Sequence, residues 1–112
     1  MKKRAPKVET RSGNIFADLG LPDAEDMLLK STIVIELRRL IKQRKLTQTA
    51  AAKLLGTSQA DLSKILRGHF RGYSEAKLMR MLTAFNQDVE ITIRPHSKAG
   101  RAGRIIFTPR AA

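Results

Sequence analysis

Residues 46–68, LTQTAAAKLLGTSQADLSKILRG, read as two short helices joined by a tight corner. Thr47 caps the first helix, which runs to Gly56, and Ser58 caps the second, which runs to about Arg67. Gln48 follows its cap directly, so its side chain sits at an exposed helix N-terminus. Ala52 comes four residues later, where two steeply crossed helices need a small side chain at their contact. Gly56 follows after four more, at the C′ position where the chain turns through a left-handed conformation. Leu55, Leu62, Ile65 and Leu66 supply the buried side of the pair. Ala60, Ser63, Lys64 and Arg67 recur at i, i+3, i+4 and i+7. They form a polar, partly basic and unpaired face, with Gln59 beside it at the helix tip.

Asp61, in the first turn of that second helix, looks out of place on a surface meant for phosphates. The four residues S-Q-A-D form a capping box, in which the Asp61 carboxylate can bond the Ser58 amide. As a base reader Asp61 can only accept from cytosine N4. The cap is the stronger reading, and both roles stay open.

The helical pattern extends outward from this pair. Asp23 reads as an N-cap, with Asp26 three residues on in a capping-box position. From there AEDMLLKSTIVIELRRLIKQRK has no Gly or Pro, and Leu28, Ile33, Leu37, Leu40 and Ile41 fall on one helical face. This is one long helix, or two in line with a break near Ser31-Thr32. Ser74 caps a last helix, EAKLMRMLTAFNQ, which buries Leu78, Met79, Leu82 and Phe85, with Tyr73 stapled onto Leu78. VEITIRP then changes period, placing Val89, Ile91 and Ile93 on one side and Glu90, Thr92 and Arg94 on the other until Pro95 ends it. After a Gly-rich basic loop, RIIFTP offers a second short strand at residues 104–109. The expected fold is mainly α, four or five helices with a C-terminal β-strand or hairpin. A lone hairpin is marginal in water, so Val89, Ile91 and Ile93 are expected to form a dimerisation face with a second copy. Packing against the chain's own helices is the alternative.

The chain of 112 residues carries 22 Lys and Arg against 10 Asp and Glu, a formal net charge of +12. Such a balance seeks a polyanion, nucleic acid first and an anionic membrane surface second. Arg38, Arg39, Lys42, Arg44 and Lys45 could make a membrane-surface helix, but the same helix needs its apolar face for the core. Cysteine is absent, which removes disulfides, thiolate metal sites and a Cys nucleophile. MKKRAPKVETRS has no apolar stretch after it and is not read as a secretory signal, and no apolar run approaches the ~20 residues of a membrane span. A cytoplasmic protein is expected.

Three regions are distinguished. Residues 1–12 are a basic polar tail without periodicity, expected to be disordered, serving as an arm along DNA or as a solubilising tail. Residues 13–95 form the helical domain with its closing strand. Within it Ile15, Phe16, Leu19 and Leu21 are too apolar to hang free and should dock on the body or a partner. Residues 96–112 are a basic loop and a possible second strand. No catalytic site is legible. His69 and His96 lie in basic loops far apart, without metal-ligand spacing. GHFRG and AGRAG lack the P-loop Lys-Ser/Thr, and no nucleophile has a base beside it. Neither an enzyme nor a cofactor or metal is expected.

Gln48, Ala52, Gly56, Gln59, Leu62 and Ile65 match the pattern of Cro- and lambda-repressor-like (XRE-type) helix-turn-helix domains, a resemblance that extends over roughly residues 33–86. NIFADLGLPDAED, LRGHFRGYS and QDVEITIRP resemble a subfamily of small XRE-type regulators that includes HigA-like antitoxins, over about residues 13–95. The resemblance implies that the second helix of the pair enters the major groove of double-stranded DNA, with Gln59, Ala60, Asp61 and Lys64 at the base edges. Gln59 would bond adenine N6 and N7, and Lys64 guanine O6 and N7. Gln48 would bond a phosphate and brace Gln59; Ser58 and Ser63 would bond phosphates, and Arg67 and Arg71 would neutralise them. Ala60 departs from the glutamine of some phage repressors and leaves only a methyl contact. The implied function is a dimeric repressor on a palindromic operator. The alternative is the antitoxin of a type II pair, neutralising a small basic toxin by direct binding. Residues 13–34, with Asp18, Asp23, Glu25 and Asp26 against Lys30 alone, would be its docking edge, or merely a helix cap and packing strap.

Overall fold

The computed structural model describes residues 19–20, 23–98 and 100–109; the tail at 1–12, and Ile15, Phe16 and Leu21 of the apolar segment, lie outside them. Among the described residues are four helices: α1 (Ala24–Gln43), α2 (Gln48–Leu55), α3 (Gln59–Leu66) and α4 (Glu75–Thr83). Met27, Lys30, Val34, Leu37 and Ile41 recur along α1 at alternating spacings of three and four and make its buried stripe, with Ile33 and Leu40 beside them. The helix runs through Ser31 and Thr32 without a break. Both hydroxyls donate back to the Leu28 carbonyl at 2.9 Å, so their competing hydrogen bonds are made within the helix.

Helix α1 packs chiefly on α4 and also on α3, while α2 packs on α3. Ile33, Leu37, Leu62, Ile65, Leu78 and Phe85 are the largest fully buried side chains, drawn from α1, α3, α4 and the turn after α4. Burying each such side chain stabilises the fold by roughly 1.5–3 kcal/mol before entropy is counted. Arg44 closes one end of this core. Its Nη2 donates to the Phe85 carbonyl at 3.0 Å and to Asn86 Oδ1 at 2.7 Å, and its guanidinium lies 5.2 Å from the centre of the Phe85 ring.

Four expectations are corrected. Asp23 does not cap α1: its backbone is left-handed (φ 57°) and its side chain makes no cap bond. Its carboxylate accepts instead from Arg71 Nη1 at 3.2 Å, and Asp26 pairs with Lys30 at 3.3 Å. On α4 the buried methionine is Met81, with Met79 only partly buried, because Leu78, Met81, Leu82 and Phe85 share the i, i+3, i+4, i+7 face. Leu19 is exposed and does not dock on the body of the chain.

The fourth concerns the C-terminal strand or hairpin, which does not form among the described residues. Among the described residues none is in a strand. Between residues 88 and 109 the described backbone makes one backbone–backbone hydrogen bond, Arg101 N to Lys98 O at 3.4 Å. Val89 and Phe107 lean on the core, whereas Ile91 is 78% exposed and Ile93 93% exposed. Alternation gives a segment two faces, but a ladder needs a neighbour, and the described residues offer none at hydrogen-bonding distance.

Candidate nucleic-acid interface

The corner between α2 and α3 is built from short local signals. The Thr47 hydroxyl accepts from the Ala50 amide at 3.1 Å and the Ser58 hydroxyl from the Asp61 amide at 3.0 Å. Each such cap contributes about 1 kcal/mol. Between them Gly56 takes φ 71°, and the Thr57 amide returns to the Ala52 carbonyl at 3.0 Å. A side chain at Gly56 would meet empty space, so its backbone angle, not crowding, is what calls for glycine. Ala51 and Ala52 are the buried residues of α2, and Leu62, Ile65 and Leu66 those of α3. Leu55 is only partly buried.

This packing leaves the outer face of α3 open. Gln48, Ser58, Gln59, Ala60, Lys64, Arg67 and Arg71 are exposed, and Asp61 and Ser63 are half-buried. At the tip, Gln59 Nε2 donates to Gln48 Oε1 at 3.0 Å, joining the two helix starts across the corner. Arg67 lies back along α3, its Nε 3.4 Å from the Ser63 carbonyl. The Arg71 guanidinium is held by Asp23. That pair is solvent-exposed on both sides, worth ~0–1 kcal/mol, and exchanges easily for another anion.

Asp61 turns out to face the loop before α4. The Ser58 half of the capping box forms, while the Asp61 carboxylate lies near enough to the Tyr73 hydroxyl to act on it electrostatically. Partial burial raises the Tyr73 phenol above its ordinary range, and the nearby Asp61 carboxylate raises it further. The folded chain therefore holds this proton more tightly than the unfolded one. The stability involved is whole below the ordinary tyrosine value of about 10 and is lost as pH rises through the folded value. In urea titrations the wild-type midpoint should fall across that alkaline window more steeply than that of Tyr73→Phe; parallel curves would contradict the contact.

Lys30 belongs to this region although sequence reasoning gave it no role. It is 5% exposed, and its Nζ donates to the Arg71 carbonyl at 2.8 Å while pairing with Asp26 at 3.3 Å. Through it the first turns of α1 hold the loop that trails α3. The signal was present in the sequence: Lys30 occupies a position of the apolar stripe, three residues after Met27 and four before Val34. A lysine is seldom fully buried unless it is paired. Among the described residues no cluster of His, Asp or Glu is arranged to hold a metal ion, and no helix is long and apolar enough to cross a membrane.

A family model described as a helix-turn-helix domain matches residues 15–94. A solved structure assigned to the XRE family of transcriptional regulators is 36% identical, with a TM-score of 0.74, and the match covers 80% of this chain and 100% of that one. No curated protein matches the chain. The family match begins ahead of α1 and runs past α4, taking in every helix described above, and the chain belongs to the XRE-type helix-turn-helix family.

Proposed function

We propose that the chain is a transcriptional repressor that binds a palindromic operator as a dimer, within the cytoplasm. The family is one of non-enzymatic DNA-binding proteins. The observation that carries the finer reading is the Gln48–Gln59 bond on an otherwise open α3 face. One amide hydrogen of Gln59 goes to Gln48, leaving its second hydrogen and its carbonyl oxygen for adenine N7 and N6. The Gln48 amide and the Ser58 hydroxyl proton are then free to donate to phosphates, since Ser58 Oγ serves its cap as an acceptor. Lys64 reaches guanine, Ser63 and Arg67 take backbone oxygens, and Arg71 does so by leaving Asp23. Asp61, turned to Tyr73, supports the head rather than reads.

Two copies would set their α3 helices about 34 Å apart, one turn of DNA. Nuclease protection of the DNA upstream of the gene should show two half-sites at that spacing; uniform, sequence-independent protection would sink the reading. Ile91→Asp should sediment as a monomer and leave only weak protection, whereas an unchanged mass would remove the exposed Val89–Ile93 segment from the interface.

The alternative is an antitoxin that neutralises a small basic toxin and autoregulates its operon. It draws on the acidic 13–34 edge, yet Asp23 and Asp26 are engaged by the chain's own Arg71 and Lys30. The regulator reading is the one adopted. A neighbouring gene whose expression harms no cells would leave the antitoxin without a target.

A further inference from the structure

Residues 89–95, VEITIRP, are self-complementary when laid antiparallel to themselves, and this fixes how a second copy docks. With the two-fold axis through Thr92, Glu90 stands opposite the partner copy's Arg94 and Ile91 opposite its Ile93, twice over by symmetry. With the axis through Ile91 instead, Arg94 would meet Asp88 and Glu90 would meet Thr92; through Ile93, Glu90 would meet His96 and Ile91 would meet Pro95. A slip that pairs odd with even positions would set isoleucines against the polar face. We propose that two copies pair along this segment in the register centred on Thr92, a proposal that rests on the dimer reading above.

Pro95 fixes the hydrogen bonding as well. Having no N–H, it must occupy a pair that exchanges no backbone bonds, and in this register it stands opposite Val89. Pairs alternate along an antiparallel ladder, so Ile91–Ile93 is also of the non-bonded kind, where side chains approach most closely. Thr92–Thr92 and Glu90–Arg94 are the hydrogen-bonded pairs. The apolar contacts thus fall where the ladder brings side chains nearest.

The structure has room for the incoming segment. Residues 89–96 and 103–108 flank an open cleft of about 440 Å³ floored by Leu29 and Met79, and no backbone hydrogen bond crosses it among the described residues. Ile105 and Ile106 are exposed on its far side. The partner's 89–95 segment enters this cleft as this chain's segment enters the partner's. The order across the sheet is then 103–108, the partner's 89–95, 89–95, and the partner's 103–108, with the outer ladder ending short of Pro95, which has no N–H to donate to it. Four strands remove the weakness of an isolated two-stranded ribbon.

Charge exchange tests the register on the full chain by sedimentation equilibrium. Glu90→Arg and Arg94→Glu alone should each weaken association at least about tenfold, because symmetry creates two like-charged pairs at once. Glu90→Arg combined with Arg94→Glu should restore it. A double variant as weak as the single ones, or single variants equal to wild type, overturns the register while leaving the dimer standing. A wild type that sediments at 12.5 kDa removes the dimer itself. A second measurement does not depend on charge. The chain has no cysteine, so Thr92→Cys, on the axis, should form an interchain disulfide under copper–phenanthroline oxidation. Arg94→Cys, whose two copies lie far apart along the ladder, should not; the reverse pattern overturns the register.

Discussion

Replacing Phe85 with alanine is expected to remove about 3–5 kcal/mol of folding stability, measured as a drop in the urea midpoint. Phe85 is fully buried just beyond α4, where the α1–α4 contact closes. Its ring also carries the Arg44 guanidinium, and its carbonyl accepts from both Arg44 and Gln87. Truncation leaves a cavity and strips the surface on which Arg44 rests, so the backbone bonds at that corner loosen with the packing. A domain of this size has only about 5–15 kcal/mol in total, so a substantial share of the chains should be unfolded at 37 °C. Phe85→Leu, which keeps much of the volume, should lose far less. A loss under about 1 kcal/mol for alanine would mean that the corner collapses around the gap, and that the ring is not what holds α1 to α4.

The second large effect is on recognition. Gln59→Ala should lower operator affinity by ~1–3 kcal/mol, up to about 150-fold, and relax preference at a single base position. Stability should hardly change, because the side chain is exposed and its partner is Gln48 alone. The informative comparison is with Arg67→Ala, which should weaken binding to every sequence alike and flatten the salt dependence. If Gln59→Ala also lost affinity equally on all sequences, its amide would be a brace or a phosphate ligand and not a reader.

The parts of this molecule that were readable in advance are those written within one helical turn. Thr47, Ser58 and Ser74 each cap the helix they precede, accepting from the amide three residues on. Gly56 takes the left-handed angle its spacing called for. Asp23 failed by the same local rule, because a partner 48 residues away, Arg71, claimed its carboxylate. Asp61 was read as the inner half of a capping box; the bond from its amide to the Ser58 hydroxyl forms, while its electrostatic neighbour Tyr73 lies across a loop and is invisible to a four-residue pattern. Met79 was preferred to Met81 because a composition of apolar residues does not fix the phase of a short helix; packing against α1 does. The strand expected at VEITIRP illustrates the opposite limit. Its alternation was plain, yet a strand is a property of two segments, and among the described residues no second one pairs with it.

The hydrogen bond between Gln48 and Gln59 has a bearing on the thermodynamics of recognition. A free glutamine samples many rotamers, and fixing one costs up to about 1.5–2 kcal/mol of entropy. Here part of that ordering has already occurred in the folded protein, before any base edge is met. The loss is charged to folding, where a whole domain shares it, and not to association, where it would subtract directly from affinity. On the proposed reading, a head set in this way would separate right from wrong sequences by the bonds it can complete, with less ordering still to be done on the correct site.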